Sequence, residues 1–123
     1  MFEKYTMASF FAGVGGIDLG FEETGRVETV YANEFDPYPV KTFNLNFAIE
    51  ADCRDIHDVQ PDDFPDVDII AGGFPCQAFS IAGYRQGFTD EKGRGTLFFE
   101  LMRLVHVKKP RIVFLENVKN LVG

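Results

Sequence analysis

Five stretches of this 123-residue chain end apolar runs on residues able to do chemistry: Gly13–Gly16, Glu34, Asp52, Gly73–Cys76 and Glu116-Asn117. The most informative is Gly72-Gly-Phe-Pro-Cys-Gln-Ala-Phe-Ser80, where Pro75 stiffens the chain just before a thiol. A lone cysteine is more often a small buried apolar side chain. On a rigid loop at the carboxyl end of a strand, beside a ligand, Cys76 has instead the setting of a nucleophile. Cys53 lacks that setting and reads as structural, touching a ligand through its backbone. His57 and His106 are isolated, with no second ligand at metal-binding spacing, so no metal site is expected.

The segment Phe11-Ala-Gly-Val-Gly-Gly16 follows an apolar run and precedes a helical pattern. Glycines there let the backbone approach a ligand and offer N–H groups at a helix start. Asp18 stands where the dinucleotide fingerprint has its third glycine, and no Lys-Ser or Lys-Thr pair follows, so neither a pyrophosphate nor a triphosphate fits. Asp18, Glu22 and Glu23 are expected to repel phosphate further. Glu34, 19 residues past Gly15, is at the spacing of an acid that binds both ribose hydroxyls. Phe35 offers a flat face for adenine, and Asp52 an acceptor for the adenine amino group. Each acid alone reads as a solvated loop residue; together they outline an adenosine pocket without a phosphate site. That pattern points to S-adenosyl-L-methionine.

The elements that position these residues alternate. Residues 5–11 read as a buried strand, 17–24 as a helix stopped by Gly25, 28–32 as a strand, and 38–47 as a helix opened by Pro37. A weak third strand is expected at 48–51. Residues 67–71 form a clear strand, 74–95 a loop, 96–109 a helix capped by Thr96 and ended before Pro110, and 111–115 a last strand. Strands alternating with helices imply a parallel sheet with right-handed crossovers, a Rossmann-like α/β domain incomplete at its C-terminal side. In such sheets ligands bind at the carboxyl ends of the strands.

Composition excludes little: hydrophobic residues are 46% and charged residues 25%, ordinary for a globular domain. No run is apolar enough to span a membrane. With two cysteines and no export-type leader, a disulfide framework is not expected, and a reduced cytoplasmic setting is. The net charge of -7 is unevenly placed. Residues 1–79 hold 4 basic and 15 acidic side chains, whereas residues 80–111 hold 7 basic and 3 acidic. Contacts to a polyanion are therefore expected after residue 79.

The chain resembles the bacterial DNA cytosine-5 methyltransferases over essentially its whole length. Phe11–Gly16 is similar to their first motif, Asn33-Glu-Phe-Asp36 to the second, and Asp52-Cys-Arg-Asp-Ile56 to the third. Gly73-Phe-Pro-Cys-Gln-Ala-Phe-Ser80 looks like the catalytic fourth. Gly93-Arg-Gly-Thr-Leu-Phe-Phe-Glu100 and Glu116-Asn-Val-Lys-Asn120 resemble the fifth and sixth. The resemblance implies that a cytosine flipped out of double-stranded DNA is attacked at carbon 6 by Cys76 while Glu116 serves ring nitrogen 3. Carbon 5 is then methylated from S-adenosyl-L-methionine, leaving S-adenosyl-L-homocysteine. It also implies cofactor contacts from Phe11, Gly13, Val14, Gly15, Glu34 and Phe35, and from Asp52, Cys53, Pro75 and Leu97. Gln77, Ser80, Arg85, Asn117 and Val118 would lie on the DNA side. A bacterial cytoplasmic enzyme of restriction-modification type, working at the nucleoid, is the setting the resemblance implies.

The family's later parts, including its target recognition domain, do not follow Gly123 in this sequence. The expectation is that these 123 residues alone methylate DNA poorly and need a C-terminal segment or second subunit. Two other readings stay open: a non-catalytic S-adenosylmethionine-binding module, and a transfer RNA cytosine-5 methyltransferase relative. Retention of both Cys76 and Glu116 weighs against the first.

Overall fold

The computed structural model describes residues 3–74 and 97–117. Four parallel strands, β1 (Tyr5–Phe10), β2 (Val27–Asn33), β3 (Ile69–Gly73) and β4 (Ile112–Glu116), form one sheet in the order β2-β1-β3-β4. Helix α1 (Gly16–Glu22) joins β1 to β2. Helix α2 (Pro37–Asn46) and two short 3-10 turns, Ile56–Asp58 and Pro61–Asp63, lie between β2 and β3. Helix α3 (Leu97–Lys108) precedes β4.

Each strand feeds both layers because successive side chains point to opposite faces. Met7, Ile69 and Ala71 meet Ile17 and Phe21 of α1 on one face. Ala8, Phe10 and Ile70 meet Leu101 and Leu104 of α3, with Ile56, Val59, Phe64 and Val67, on the other. Burial on both faces of β1 and β3 explains why those strands read as continuous apolar runs rather than alternating ones. Gly72 admits Leu101: a β-carbon there would stand 2.9 Å from its Cδ2.

The helix ends follow local chemistry. Asp36 accepts the Tyr38 N–H at 3.0 Å, with Pro37 in the first turn, so α2 starts where a capping acid and a proline specify it. After α1, Gly25 takes φ 74, a turn that suits glycine, and its N–H bonds the Glu22 carbonyl at 2.9 Å.

One expected element is absent. Residues 48–51 form no strand; a single parallel bridge links Asn33 to Asp52. Two backbone bonds make that bridge, the Asp52 N–H on the Ala32 carbonyl at 2.7 Å and the Glu34 N–H on the Asp52 carbonyl at 3.1 Å, and side chains hold the groups around it. Asn44 Oδ1 accepts the Ala51 N–H, and Asn33 Nδ2 donates to the carbonyls of Asp52 and Arg54 at 2.9 and 2.8 Å. With the Ala51 N–H and the Arg54 carbonyl satisfied by asparagines, the backbone pairing stops at Asp52.

A bulge interrupts the β1–β2 ladder: Met7 faces Thr29 and Ala8 faces Tyr31, leaving Val30 over. The Thr29 N–H is taken by Glu22 Oε2 at 3.0 Å, which ties α1 to the bulge. Among the described strands β4 is an edge, and Ile112, Val113, Phe114 and Leu115 are 39–52% exposed.

Candidate active site

The strand order reverses between β1 and β3, since the chain leaves β1 toward β2 and leaves β3 toward β4. Crevices at such points, at the carboxyl ends of the strands, are where ligands bind in open α/β sheets. The loop after β1, the residues after β2 and the end of β3 all converge there.

The loop after β1 is a chain of left-handed turns, with φ 54 at Phe11, 58 at Gly13 and 96 at Gly15. It is fastened to β2: Ala12 N–H donates to the Asn33 carbonyl at 3.2 Å, and Gly13 N–H to Glu34 Oε1 at 2.8 Å. The glycines serve different ends. Around a β-carbon at Gly13 there is nothing within 4 Å, so that position faces open space. At Gly15 a β-carbon would fall 2.3 Å from Cε2 of Phe47, whose ring stacks on Phe43. Gly13 leaves room for a ligand; Gly15 leaves room for a core aromatic pair. Val14, 54% exposed, forms the outer surface of the loop.

Glu34 is fixed at both oxygens, Oε1 by Gly13 and Oε2 by the Asp36 N–H at 2.9 Å. Each oxygen accepts one such bond and keeps a lone pair, an arrangement suited to two adjacent hydroxyl donors. Phe35 is 68% exposed, and the Cys53 thiol donates to its carbonyl at 3.6 Å. Asp52 is more heavily engaged than the sequence suggested. Its Oδ2 accepts Tyr31 O–H at 2.6 Å and Arg54 Nη2 at 2.7 Å, and its Oδ1 accepts Arg54 Nε at 2.9 Å. The Arg54 guanidinium, followed by burial and the Tyr31 hydroxyl as opposing and reinforcing influences, leaves the Asp52 carboxyl below its ordinary range. Burial and Asp52 together push the Tyr31 hydroxyl upward.

Asp18 corrects the sequence reading. Its carboxylate does not face a ligand but is fully buried beneath α1, accepting Ser9 O–H at 3.0 Å and Thr29 O–H at 2.9 Å. Burial raises its carboxyl above the ordinary 3.8. The reason is helical geometry: Ile17, Phe21 and Asp18 share the stretch of α1 that covers the sheet, and β1 and β2 present hydroxyls below it.

At the end of β3, Glu116 is in register with Gly73, and its Oε2 lies 3.4 Å from where a Gly73 β-carbon would be. Both backbone groups of Phe74 are held, by the last residue of β4 and the residue after it. Its N–H donates to the Glu116 carbonyl at 3.1 Å, and its carbonyl accepts Asn117 Nδ2 at 3.2 Å. The Phe74 ring packs on Phe11 at 5.0 Å and Phe98 at 5.9 Å. The base of the Pro-Cys segment is thereby splinted to the glycine loop, to Glu116 and to α3, at whose first residue Leu97 stands. Pro75, Cys76, Gln77, Ser80, Arg85 and Val118 lie outside the described residues.

The basic excess after residue 79 is partly internal. Arg103 Nη2 donates to the carbonyls of Ile56 and Val59 at 3.2 and 2.9 Å and pairs with Glu100. Lys108 Nζ donates to the Phe64 carbonyl at 2.6 Å and lies 4.6 Å above that ring. Both cations dock α3 onto the 3-10 turns instead of facing a polyanion. Arg54 was also missed, although it is the sole Lys or Arg in residues 42–84 and has eight acids between residues 50 and 68, a signal legible in the sequence.

Among the described residues no helix is long and apolar enough to cross a membrane, and no group of three metal-type ligands occurs. Relatives are plentiful. The chain is 57% identical over 117 residues to the type II methyltransferase M.Bsp6I of Bacillus sp. (strain RFL6), covering 95% of this chain and 37% of that protein. It is 51% identical over 110 residues to M.HhaI of Haemophilus parahaemolyticus, covering 89% and 32%. It thus spans about a third of the length of these curated relatives. In fold it is similar to a Spodoptera frugiperda DNMT2 mutant, with TM-score 0.73 and 24% identity over 94% of this chain and 36% of that one. Residues 5–123 match the family model for C-5 cytosine-specific DNA methylases, and the chain belongs to that family.

Proposed function

We propose that this chain supplies the cofactor pocket and nucleophile of a DNA cytosine-5 methyltransferase dependent on S-adenosyl-L-methionine. The observation that carries the reading is a juxtaposition at the strand-order reversal. Glu34 is locked on the open side of the glycine loop, while Glu116 and Asn117 hold the base of the segment that leads into Pro75-Cys76. The residues fit an adenosine group. Gly13 faces open space, Glu34 retains acceptors for ribose hydroxyls, and Phe35 offers an exposed ring; Asp52, whose backbone carbonyl accepts the Glu34 N–H at 3.1 Å, is assigned to the adenine amino group. Phe11, Val14, Gly15, Cys53, Pro75 and Leu97 complete this reading of the pocket.

When bound, the cofactor supplies an electrophilic sulfonium methyl group for carbon 5 of the base and departs as S-adenosyl-L-homocysteine. The remaining chemistry belongs to the chain. Cys76 thiolate adds to carbon 6 of a flipped cytosine. Glu116 donates a proton or hydrogen bond to ring nitrogen 3, which absorbs the charge that addition creates. After methylation the carbon 5 proton is lost to a base, the Cys76–carbon 6 bond breaks to restore the aromatic ring and the thiolate, and any proton placed on nitrogen 3 returns to Glu116. Gln77, Ser80, Arg85 and Val118 are assigned to the DNA side. Asn117 acts there through its tie to Phe74.

A complementing C-terminal segment or subunit belongs to the same reading, because β4 leaves an apolar edge that another strand or helix can cover. The test is covalent trapping on duplex DNA carrying 5-fluorocytosine, with labelled cofactor and with or without the C-terminal part of a relative. An adduct that requires Cys76 is expected, and Cys76→Ala abolishes it. Cofactor binding without any adduct in either mixture overturns the DNA reading; an adduct on transfer RNA alone replaces the substrate.

A further inference from the structure

Thr29 is gripped from α1 at both of its donors. Asp18 Oδ2 accepts its hydroxyl at 2.9 Å, and Glu22 Oε2 accepts its backbone N–H at 3.0 Å. The two acids are one helical turn apart and therefore neighbours on one side of α1. Asp18 Oδ1 also accepts Ser9 O–H at 3.0 Å, which brings β1 under the same clamp. Thr29 is the last β2 residue before the bulge. Residues two apart in a regular strand share a face of the sheet. Thr29 and Tyr31 do not: Thr29 points under α1, while the Tyr31 ring stacks on Phe64 at 4.9 Å in the opposite layer. Val30 packs in that opposite layer as well. The alternation of β2 is reset at the residue the acids hold.

That reset decides which side chain meets the glycine loop. Beyond it Phe10 faces Asn33, the Asn33 carbonyl accepts the Ala12 N–H at 3.2 Å, and Glu34 Oε1 accepts the Gly13 N–H at 2.8 Å. A ladder continued at the register of Met7 and Thr29 would set Phe10 opposite Ala32 and put Asn33 where Glu34 stands. Bulges beside functional sites re-aim side chains in this way. We propose that Asp18 and Glu22 are positioning residues that hold the β2 bulge and so set the register at which Glu34 meets Gly13. This rests on the cofactor reading above, in which Glu34 receives the ribose hydroxyls. Neither acid reaches the ligand: Asp18 is fully buried, and Glu22 turns to Thr29. Helix α1 starts at Gly16, directly after the glycine loop, so one element fixes both the loop and the strand that carries the ribose acid.

The test is titration calorimetry of S-adenosyl-L-homocysteine and its 2′-deoxyribose analogue, together with amide hydrogen exchange of the ligand-free chain. The unaltered chain is expected to prefer the ribose compound by about tenfold or more, as sites built around a hydrogen bond reject analogues that cannot make it. Glu22→Ala is expected to bring that preference below about threefold and to speed exchange of the Gly13 N–H by about tenfold. Glu22→Gln, whose amide oxygen still accepts the Thr29 N–H, is expected to keep both. Thr29→Val, which removes only the donor to Asp18, is expected to lower the preference by an intermediate factor. Arg103→Met, which unties α3 from the carbonyls of Ile56 and Val59, shows what lost stability does by itself and is expected to leave the ratio unchanged. An unchanged ratio in Glu22→Ala, or an equal fall in Arg103→Met, overturns the proposal. Should Glu22→Ala fail to fold, an unchanged ratio in folded Thr29→Val overturns it instead. If the unaltered chain binds neither compound, the cofactor reading falls separately, and Gly13 exchange in Glu22→Ala equal to that of the unaltered chain overturns the positioning role.

Discussion

Substituting Gly15 and Gly13 separately by alanine divides folding from ligand binding within one loop. At Gly15 the backbone sits at φ 96, where a residue with a β-carbon carries roughly 1–2 kcal/mol of strain. The new carbon would also fall 2.3 and 2.7 Å from Phe47 and 3.0 Å from Phe43, so the stacked ring pair must shift. Forced repacking of that kind costs about 1–3 kcal/mol. Gly15→Ala is therefore expected to lose roughly 2–5 kcal/mol, a large share of the roughly 5–15 kcal/mol available to a small domain. Gly13→Ala, at φ 58 with nothing within 4 Å, carries the strain alone, about 1–2 kcal/mol. Its methyl group instead projects toward the proposed ligand and is expected to weaken S-adenosyl-L-homocysteine by about tenfold or more, an estimate from the sensitivity of close packing. Urea denaturation followed by circular dichroism measures the first effect and titration calorimetry of the folded variant the second. Equal destabilisation by the two substitutions, or a Gly15→Ala loss below about 1 kcal/mol, would refute this division of roles.

Asp18 gives a pH prediction. Its folded carboxyl is raised above 3.8, so its favourable contribution is complete below that value and is lost as pH rises through the raised folded value. Asp18→Asn, which keeps partners for Ser9 and Thr29, is expected to gain stability relative to the unaltered chain over that rise, whereas Asp18→Ala loses about 1–3 kcal/mol by stranding two buried hydroxyls. Thermal melts from pH 3 to 8 would show both, and a pH-independent difference for Asp18→Asn would refute the burial argument. Asp52 behaves oppositely: its lowered carboxyl contributes above 3.8 and loses that contribution as pH falls through the lowered value. With a partly exposed pair, Arg54→Met is expected to cost no more than about 1 kcal/mol at pH 7, with the gap closing in acid; a gap that widens in acid would contradict it. Lys108→Met strips the Phe64 carbonyl of its cation and should lower stability by about 1–3 kcal/mol in urea denaturation. In the complemented enzyme, Lys108→Met and Arg103→Met should leave the salt dependence of DNA affinity unchanged, while Arg85→Ala reduces its slope by about one. A reduced slope for either internal cation would place it on the DNA face after all.

The alternation of elements and the strand-end placement of the candidate residues are legible in local sequence signals. Apolar runs, a capping Asp36 with Pro37, and glycines where the chain turns are local signals, and β1, α2, β3 and β4 form within two residues of where those signals lie. The family is legible there too, because short motifs in fixed order survive without any knowledge of contacts. Tertiary structure alone decided what each charge is for. Asp18 reads as a ligand-facing acid until the sheet below α1 supplies Ser9 and Thr29; Arg103 and Lys108 read as a polyanion face until α3 docks on the carbonyls of residues 56–64. The strand expected at 48–51 shrinks to one bridge at Asp52, where Asn44 takes the Ala51 N–H and Asn33, from β2, the Arg54 carbonyl. Helix and strand signals are carried by neighbours in sequence, whereas the partner of a charge is chosen by whichever distant groups the packed layers bring within about 3 Å.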